Sequence, residues 1–389
     1  MSWWVDYSKL SDKQHNIIGE ILRKPNTDYW IQGFAGTGKT LILLHVMEKI
    51  AELNPSALLC YITYTNSLVS LVKTTPGFEN ISKQADILTY YKFLGNRRKY
   101  DFVFLDEVQD TELLKLRSIK SLSNHLYIAG DTDQQIYDGC VDSDDIVKTL
   151  RPQIFELIEI FRLTARLCNV AHSIMPETKI TEGLKAATNP NASITLIRAD
   201  NVQDEVAWAW KEAKTRAKSG DPSAILFSTH NEIYNFAVHI ALENNIPVPE
   251  KPYRLRATFN YEPLNNYFKT HNIPVMYLGN KYGDLSESAL RPVVYLMTYH
   301  SAKGLDFKNV FIPFLTANKY FTSSKNLKNN PYLGRRLLFV AVTRSRESLF
   351  LSYSGQNYHP YLNDLPADGV TRINLSDITS VPNAPEIFF

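Results

Sequence analysis

Ile31-Gln32-Gly33-Phe34-Ala35-Gly36-Thr37-Gly38-Lys39-Thr40 is the stretch from which the rest of the chain can be placed. It has the spacing G-x-x-x-x-G-K-T. Glycines so placed let backbone N–H groups converge on phosphate oxygens, and the helix that follows offers its positive end. Lys39 then reaches the β- and γ-phosphates, and Thr40 puts a hydroxyl on Mg²⁺. The flanks agree with this. Asp28 to Gln32 is a short apolar run of strand type, and Leu41 to Leu53 carries apolar residues at helical spacing. The competing reading is a glycine-rich turn that matches by chance.

The chain has 389 residues, room for two domains with full cores. Hydrophobic content of 44% and charged content of 21% are ordinary for a globular protein. Lys and Arg total 42 against 40 Asp and Glu. Bulk charge therefore gives no reason to expect a polyanion, and nucleic-acid contact must come from local cations and aromatics. The 22 tyrosines include stacking candidates, although core packing is the commoner use of the residue. The three cysteines, Cys60, Cys140 and Cys168, form no C-x-x-C pair, so neither zinc, iron–sulfur nor a disulfide framework is indicated. No apolar run approaches the ~20 residues of a membrane span, and Met1 to Lys9 lacks the pattern of a secretory leader. A soluble cytoplasmic protein without a membrane partner is expected.

Strand and helix signals alternate throughout. Ala57–Thr63, Phe102–Glu107, Leu126–Asp131, Ile194–Ile197, Ala224–Phe227, Pro292–Thr298, Val310–Phe314 and Leu349–Tyr353 read as strands. Leu10–Arg23, Thr164–Ile174, Val202–Lys218 and Glu232–Asn244 read as helices, the first with Ser11 and Gln14 spaced as a capping box. This predicts an α/β fold with parallel sheets and chemistry at the carboxyl ends of the strands. A boundary near Arg151-Pro152 divides a domain of residues 1–153 from one of 154–389. Thr74 to Lys99 is mixed and short in pattern, and Gly355 to Phe389 reads as a tail with few signals and four prolines. Asn245-Ile-Pro-Val248 and Asn272-Ile-Pro-Val275 each close a helical segment but are too short to count as a repeat.

Asp106-Glu107 at the end of an apolar strand is the expected partner of the phosphate loop. One carboxylate holds Mg²⁺, and the next positions the attacking water and takes its proton. With Lys39-Thr40 upstream and Val108-Gln109-Asp110 following, the chain resembles a superfamily 1 helicase of the UvrD/Rep type. Gly33 to Thr40 and Asp106 to Asp110 resemble that family's first two motifs. Gly130-Asp131-Thr132-Asp133-Gln134-Gln135-Ile136-Tyr137 resembles the third and Phe161-Arg162 the fourth. Thr298 to Phe307 and Arg335 to Arg346 resemble the fifth and sixth. The motifs run in the family's order from about residue 10 to 350.

The resemblance implies two tandem RecA-like P-loop NTPase domains that hydrolyse ATP with Mg²⁺ between them. Gly33, Ala35, Gly36, Thr37, Gly38, Lys39 and Thr40 would cradle the nucleotide, with Gln14 on the adenine edge, Phe161 stacked on the base, and Gly304 and Asp306 near the ribose. Thr40 and Asp106 would serve the metal. Lys39, Glu107, Gln134, Arg162 and Arg344 would be catalytic, the two arginines as fingers from the second domain. Single-stranded DNA, or RNA, would contact Tyr64, Thr65, Asn66, Thr89, Tyr91 (or Tyr90), Tyr137, Thr298 and His300. Each tyrosine is equally able simply to pack.

Three departures stand out. About 40 positions separate Asn66 from Asp106 and about 136 separate Arg162 from Thr298, where the family inserts accessory domains. Gly139 stands where many relatives carry a stacking tryptophan. Asp306 replaces the usual glutamate, and Leu41 stands where an arginine is common. A translocase or helicase of 3′→5′ polarity is the main expectation. The alternative is an ATP-driven switch or loading subunit of a repair or anti-phage complex, partnered by a nuclease or effector. A small-molecule kinase leaves Gln134, Arg162 and Arg344 unexplained.

Overall fold

The computed structural model describes residues 4–73, 83–137, 139–186, 192–255, 258–279, 281–322 and 332–379. It divides into two compact units, residues 1–163 with 178–189 and residues 164–177 with 190–389.

The first unit holds six parallel strands: β1 (Tyr29–Gly33), β2 (Leu59–Thr63), β3 (Ala85–Thr89), β4 (Tyr100–Leu105), β5 (Ser123–Gly130) and β6 (Gln153–Leu157), in the order β3-β2-β4-β5-β1-β6. The apolar runs are continuous because helices cover both faces. The period of two sorts them. Tyr29, Ile31, Leu59, Tyr61, Phe102, Phe104 and Tyr127 pack with the helices Asp12–Arg23 and Lys39–Leu53. Trp30, Cys60, Ile62, Val103, Leu105, Leu126 and Ile128 pack on the other face with Tyr90–Asn96, Leu113–Ser121 and Ser143–Leu150.

The second unit holds a seven-stranded sheet in the order β11-β12-β8-β13-β14-β7-β15. Its strands are β7 (Ser193–Ala199), β8 (Ser223–Phe227), β11 (Val275–Tyr277), β12 (Val294–Thr298), β13 (Phe307–Ile312), β14 (Ser345–Ser354) and β15 (Thr371–Asn374). All of its pairs are parallel. A two-stranded antiparallel ribbon joins β9 (Arg254–Leu255) to β10 (Thr258–Phe259). Helices Val202–Arg216, His230–Glu243 and Glu262–Thr270 contribute to the core on one face. The fold is α/β with two parallel sheets.

The structure differs from the sequence expectation in three places. The boundary at residues 153 and 154 falls at the first residue of β6, which pairs with β1 along its whole length, so the first unit runs on to Leu163. Part of the segment read as mixed forms β3, while 74–82 lies outside the described residues. The tail is not featureless, because β15 adds an edge strand beside β7. An edge strand with a mostly exposed surface has no apolar alternation to announce it. Residues 380–389 lie outside the described residues.

The two Asn-Ile-Pro-Val segments share a physical role. Asn245 and Asn272 take left-handed φ values of 52° and 53° after their helices. Ile246 N–H then donates to Ala241 C=O (3.0 Å) and Ile273 N–H to Phe268 C=O (2.9 Å). Each is a helix stop in which asparagine takes the place of the usual glycine.

Candidate nucleotide and nucleic-acid site

The phosphate loop runs from the end of β1 into the helix Lys39–Leu53. Gly38 is the N-cap at φ 87° and makes no side-chain capping bond, so the first helical N–H groups are not capped from that position. A Cβ on Gly38 would lie 2.5 Å from Gln14 Nε2, and one on Gly36 2.8 Å from Arg162 Cβ. Both glycines are also left-handed, so a side chain is strained at either, and at Gly36 it would meet the Cβ of Arg162 as well. Lys39 Nζ donates to the carbonyls of Gly33 (2.6 Å) and Phe34 (2.9 Å). Burial pulls its pKa down, and the carboxylates of Asp131, Glu107 and Asp106 oppose that pull. Ala35 and Thr37 are buried, and the Thr37 hydroxyl donates to Phe34 C=O (3.0 Å).

Gln14 does two things at once. Its Oε1 accepts from Ser11 N–H (3.0 Å) to complete the capping box, and its Nε2 donates to Thr37 C=O (3.1 Å). The buried amide therefore braces the phosphate loop from the first helix.

Asp106 and Glu107 directly follow β4. Thr40 Oγ1 donates to Asp106 Oδ2 (2.7 Å), and Glu107 N–H donates to Asp106 Oδ1 (3.0 Å). A hydroxyl and a carboxylate this close are hard oxygen donors suited to Mg²⁺, which takes few protein ligands beside phosphate and water. Burial, reinforced by the charge of Glu107, pushes the Asp106 carboxyl up to about 6, and the hydrogen bonds of Thr40 and Tyr61 pull it back. Glu107 sits at φ 55°, a left-handed conformation for a residue with a side chain. Strain of this kind, of order 1–3 kcal/mol, is kept where geometry matters to function.

Gln109 connects the second motif to the third, and the sequence reading did not single it out. Its Nε2 donates to Glu107 Oε2 (2.5 Å), and its Oε1 accepts from Asp131 N–H (3.1 Å). Gln134 Nε2 in turn donates to Asp131 Oδ2 (2.7 Å). A continuous hydrogen-bonded path thus joins Glu107 to Gln134. Gly130 permits it, since a Cβ there would stand 2.3 Å from Gln109 Oε1.

Phe161 and Arg162 belong to the first unit, which corrects the expectation that the second domain supplies this arginine. Phe161 N–H donates to Gly36 C=O (3.0 Å), so the pair is anchored on the phosphate loop itself. The arginine's charge also bears on Lys39.

The expected nucleic-acid tyrosines form a stack. Tyr64 lies between Tyr137 (centroids 4.7 Å apart) and Tyr90 (6.4 Å). Tyr90 meets Tyr91 edge-on at 4.9 Å, and Lys115 Nζ lies 5.4 Å from the Tyr91 ring. Tyr91 is the exposed member at 66%. Thr65 Oγ1 accepts from Leu68 N–H (3.2 Å) at the start of the helix that opens with Asn66, and buried Thr89 is the N-cap of Tyr90–Asn96.

In the second unit, Thr298 is buried and caps the short helix Tyr299–Ala302 through Ser301 N–H (3.1 Å). Burial, with the charges of Lys303 and His230, pushes the His300 pKa down to about 4, which leaves the ring neutral at pH 7. Gly304 is left-handed at φ 79°, and Asp306 pairs with Arg346 (3.6 Å). Arg344 is buried, and its guanidinium donates to Val340 C=O (2.9 Å), Leu305 C=O (3.2 Å) and Thr343 Oγ1 (3.0 Å).

Residues 261–356 match the UvrD-like helicase C-terminal domain, and residues 14–140 match an AAA domain. DNA helicase II of Escherichia coli is 33% identical over 112 residues, which is 26% of this chain and 15% of that protein. The ATP-dependent DNA helicase PcrA of Staphylococcus epidermidis is 26% identical over 191 residues, 46% of this chain and 25% of that protein. The solved Pif1 helicase of Candida albicans aligns with 91% of this chain and 98% of its own at 14% identity and a TM-score of 0.48. The chain spans under half the length of the curated relatives it matches. Among the described residues no helix is long and apolar enough to cross a membrane. An AAA-domain match and then a UvrD-like helicase C-terminal match thus follow one another along the chain, and the curated proteins to which it is similar include DNA helicases of the UvrD/Rep type.

Proposed function

We propose that the chain is an ATP- and Mg²⁺-dependent single-stranded DNA translocase or helicase of 3′→5′ polarity. The carrying observation is the constellation of Lys39, Thr40, Asp106 and Glu107 gathered around one phosphate loop. Mg²⁺, held by Thr40 and Asp106, would neutralise charge on the phosphates. Lys39 supplies a cation to the β- and γ-phosphates, Glu107 takes the proton of the attacking water, and Gln109 and Asp131 relay the state of that carboxylate to Gln134. Arg162 and Arg344 are the arginines proposed to bring positive charge to the γ-phosphate. DNA runs over Tyr91 and the neighbouring stack, and over the segment of Thr298 and His300.

The test is ATP turnover by the full chain with single-stranded DNA, RNA and duplex, beside unwinding assays of both polarities. Single-stranded DNA is expected to stimulate turnover, and Lys39→Ala to lower kcat by about 10²–10³. Absence of turnover with every nucleic acid overturns the proposal. Tyr91→Ala is expected to weaken single-stranded DNA binding by about 1–3 kcal/mol while leaving ATP affinity alone, as read by fluorescence anisotropy. An unchanged Kd removes Tyr91 from the track.

The short spacings between Asn66 and Asp106 and between Arg162 and Thr298 favour a second reading, an ATP-driven switch or loading subunit that works with a nuclease or effector. Unwinding of a forked duplex by the isolated chain counts against it.

A further inference from the structure

Tyr61 sits in the middle of β2, fully buried, with its ring in the core that backs the helix Lys39–Leu53. Its side chain points to that face because its strand position has the same parity as Leu59, Phe102 and Phe104. Register pairs it with Phe104, two residues before Asp106. From there its hydroxyl donates to Asp106 Oδ2 at 2.8 Å. That oxygen also accepts from Thr40 at 2.7 Å, while Oδ1 accepts from Glu107 N–H at 3.0 Å. Three donors from three elements, β2, the phosphate-loop helix and the β4 turn, thus fix one carboxylate.

The packing alone does not call for the hydroxyl. Neighbouring core positions on this face are filled by Phe102, Phe104 and Leu59, which have no polar atom to satisfy. A phenylalanine would occupy the same space. The hydroxyl therefore acts on Asp106, and through it on whatever Asp106 holds.

We infer that Tyr61 is a positioning residue for the metal, orienting the Asp106 carboxylate so that it and the Thr40 hydroxyl present a preformed Mg²⁺ site. The inference rests on the proposed use of Asp106 as a metal carboxylate. Groups that orient a ligand in this way typically change metal affinity by about 10–100-fold when removed.

The experiment is calorimetric titration of ATP into the full chain across a series of Mg²⁺ concentrations and in EDTA, for wild type and Tyr61→Phe. The Mg²⁺ midpoint for tight ATP binding is expected to rise about 10-fold or more, with ATP binding in EDTA unchanged. An unchanged midpoint overturns the inference, as does an equal loss in EDTA, which would mark a general loosening of the site. Thermal unfolding checks that the variant folds. Should it not, the same substitution in an Asp106→Asn background, where no buried charge is left short of donors, takes its place. There Tyr61→Phe is expected to shift the midpoint no further than Asp106→Asn alone, and additive losses overturn the inference. A wild type whose ATP binding ignores Mg²⁺ removes the proposed function itself. A Mg²⁺-dependent wild type with an indifferent Tyr61→Phe removes only the role of Tyr61.

Discussion

Arg162→Ala is expected to lower kcat for ATP hydrolysis by about 10³-fold or more, the scale on which arginines at a γ-phosphate act in other NTPases. The structure gives this residue an unusual tether. Its neighbour Phe161 is bonded to Gly36 C=O, and its own Cβ packs where any side chain on Gly36 would have to go. The arginine is therefore anchored against the phosphate loop, within the same unit. Arg162→Lys keeps the charge but loses the planar fork, and a partial recovery is expected. Steady-state kinetics separate the alternatives. A fall in kcat marks an interaction made in the transition state, whereas a rise in KM at constant kcat marks ground-state binding and removes the catalytic assignment. Arg344 is a less clean probe. Its guanidinium is tied to two carbonyls and a hydroxyl inside the second unit, so alanine there leaves buried acceptors unmet and costs stability as well.

Glu107→Gln is expected to lower single-turnover hydrolysis by about 10²–10⁴ while ATP still binds. Glutamine keeps the shape of the side chain and a carbonyl to receive Gln109 Nε2, so the path to Gln134 survives. Only the capacity to take a proton is lost. Rapid-quench hydrolysis beside equilibrium ATP binding gives the readout, and hydrolysis within threefold of wild type would remove Glu107 as the base. A companion variant separates strain from chemistry. At φ 55° glycine is at ease where glutamate is not. Glu107→Gly is thus expected to relieve about 1 kcal/mol of backbone strain, offset in part by the lost Gln109 contact, and to be inactive.

Much of the first unit was legible without coordinates because its signals are local. The loop from Gly33 to Thr40 needs glycines at fixed offsets, and β1, β2, β4 and β5 are runs of apolar residues that no exposed segment would carry. Asp106 and Glu107 were identifiable because two carboxylates end such a run. The capping box at Ser11 likewise depends on residues three apart. Elements at an edge left weaker traces. β15 is a strand by virtue of its partner β7, and β6 carries too few buried residues to show on which side of a boundary it belongs.

Among the candidate contacts, Tyr64 shows where the local signal stops. A tyrosine after a strand end offers a stacking face, yet whether that face is free depends on Tyr90 and Tyr137, which come from other segments. Exposure left Tyr91 as the accessible ring, and composition had no means of choosing it.

The glycine spacing of the loop, the two carboxylates that follow β4 and the α/β alternation all belong to the chain's local order, since glycine φ preferences, side-chain charge and the period of two act over a few residues. Packing alone decided that Tyr61 reaches Asp106, that Gln109 bridges Glu107 to Asp131, and that Arg162 sits on Gly36. Each of these depends on strand order and register, which arise from contacts between segments distant in sequence. A residue's spacing shows which face it takes, but what stands opposite that face is settled only when the sheets are assembled.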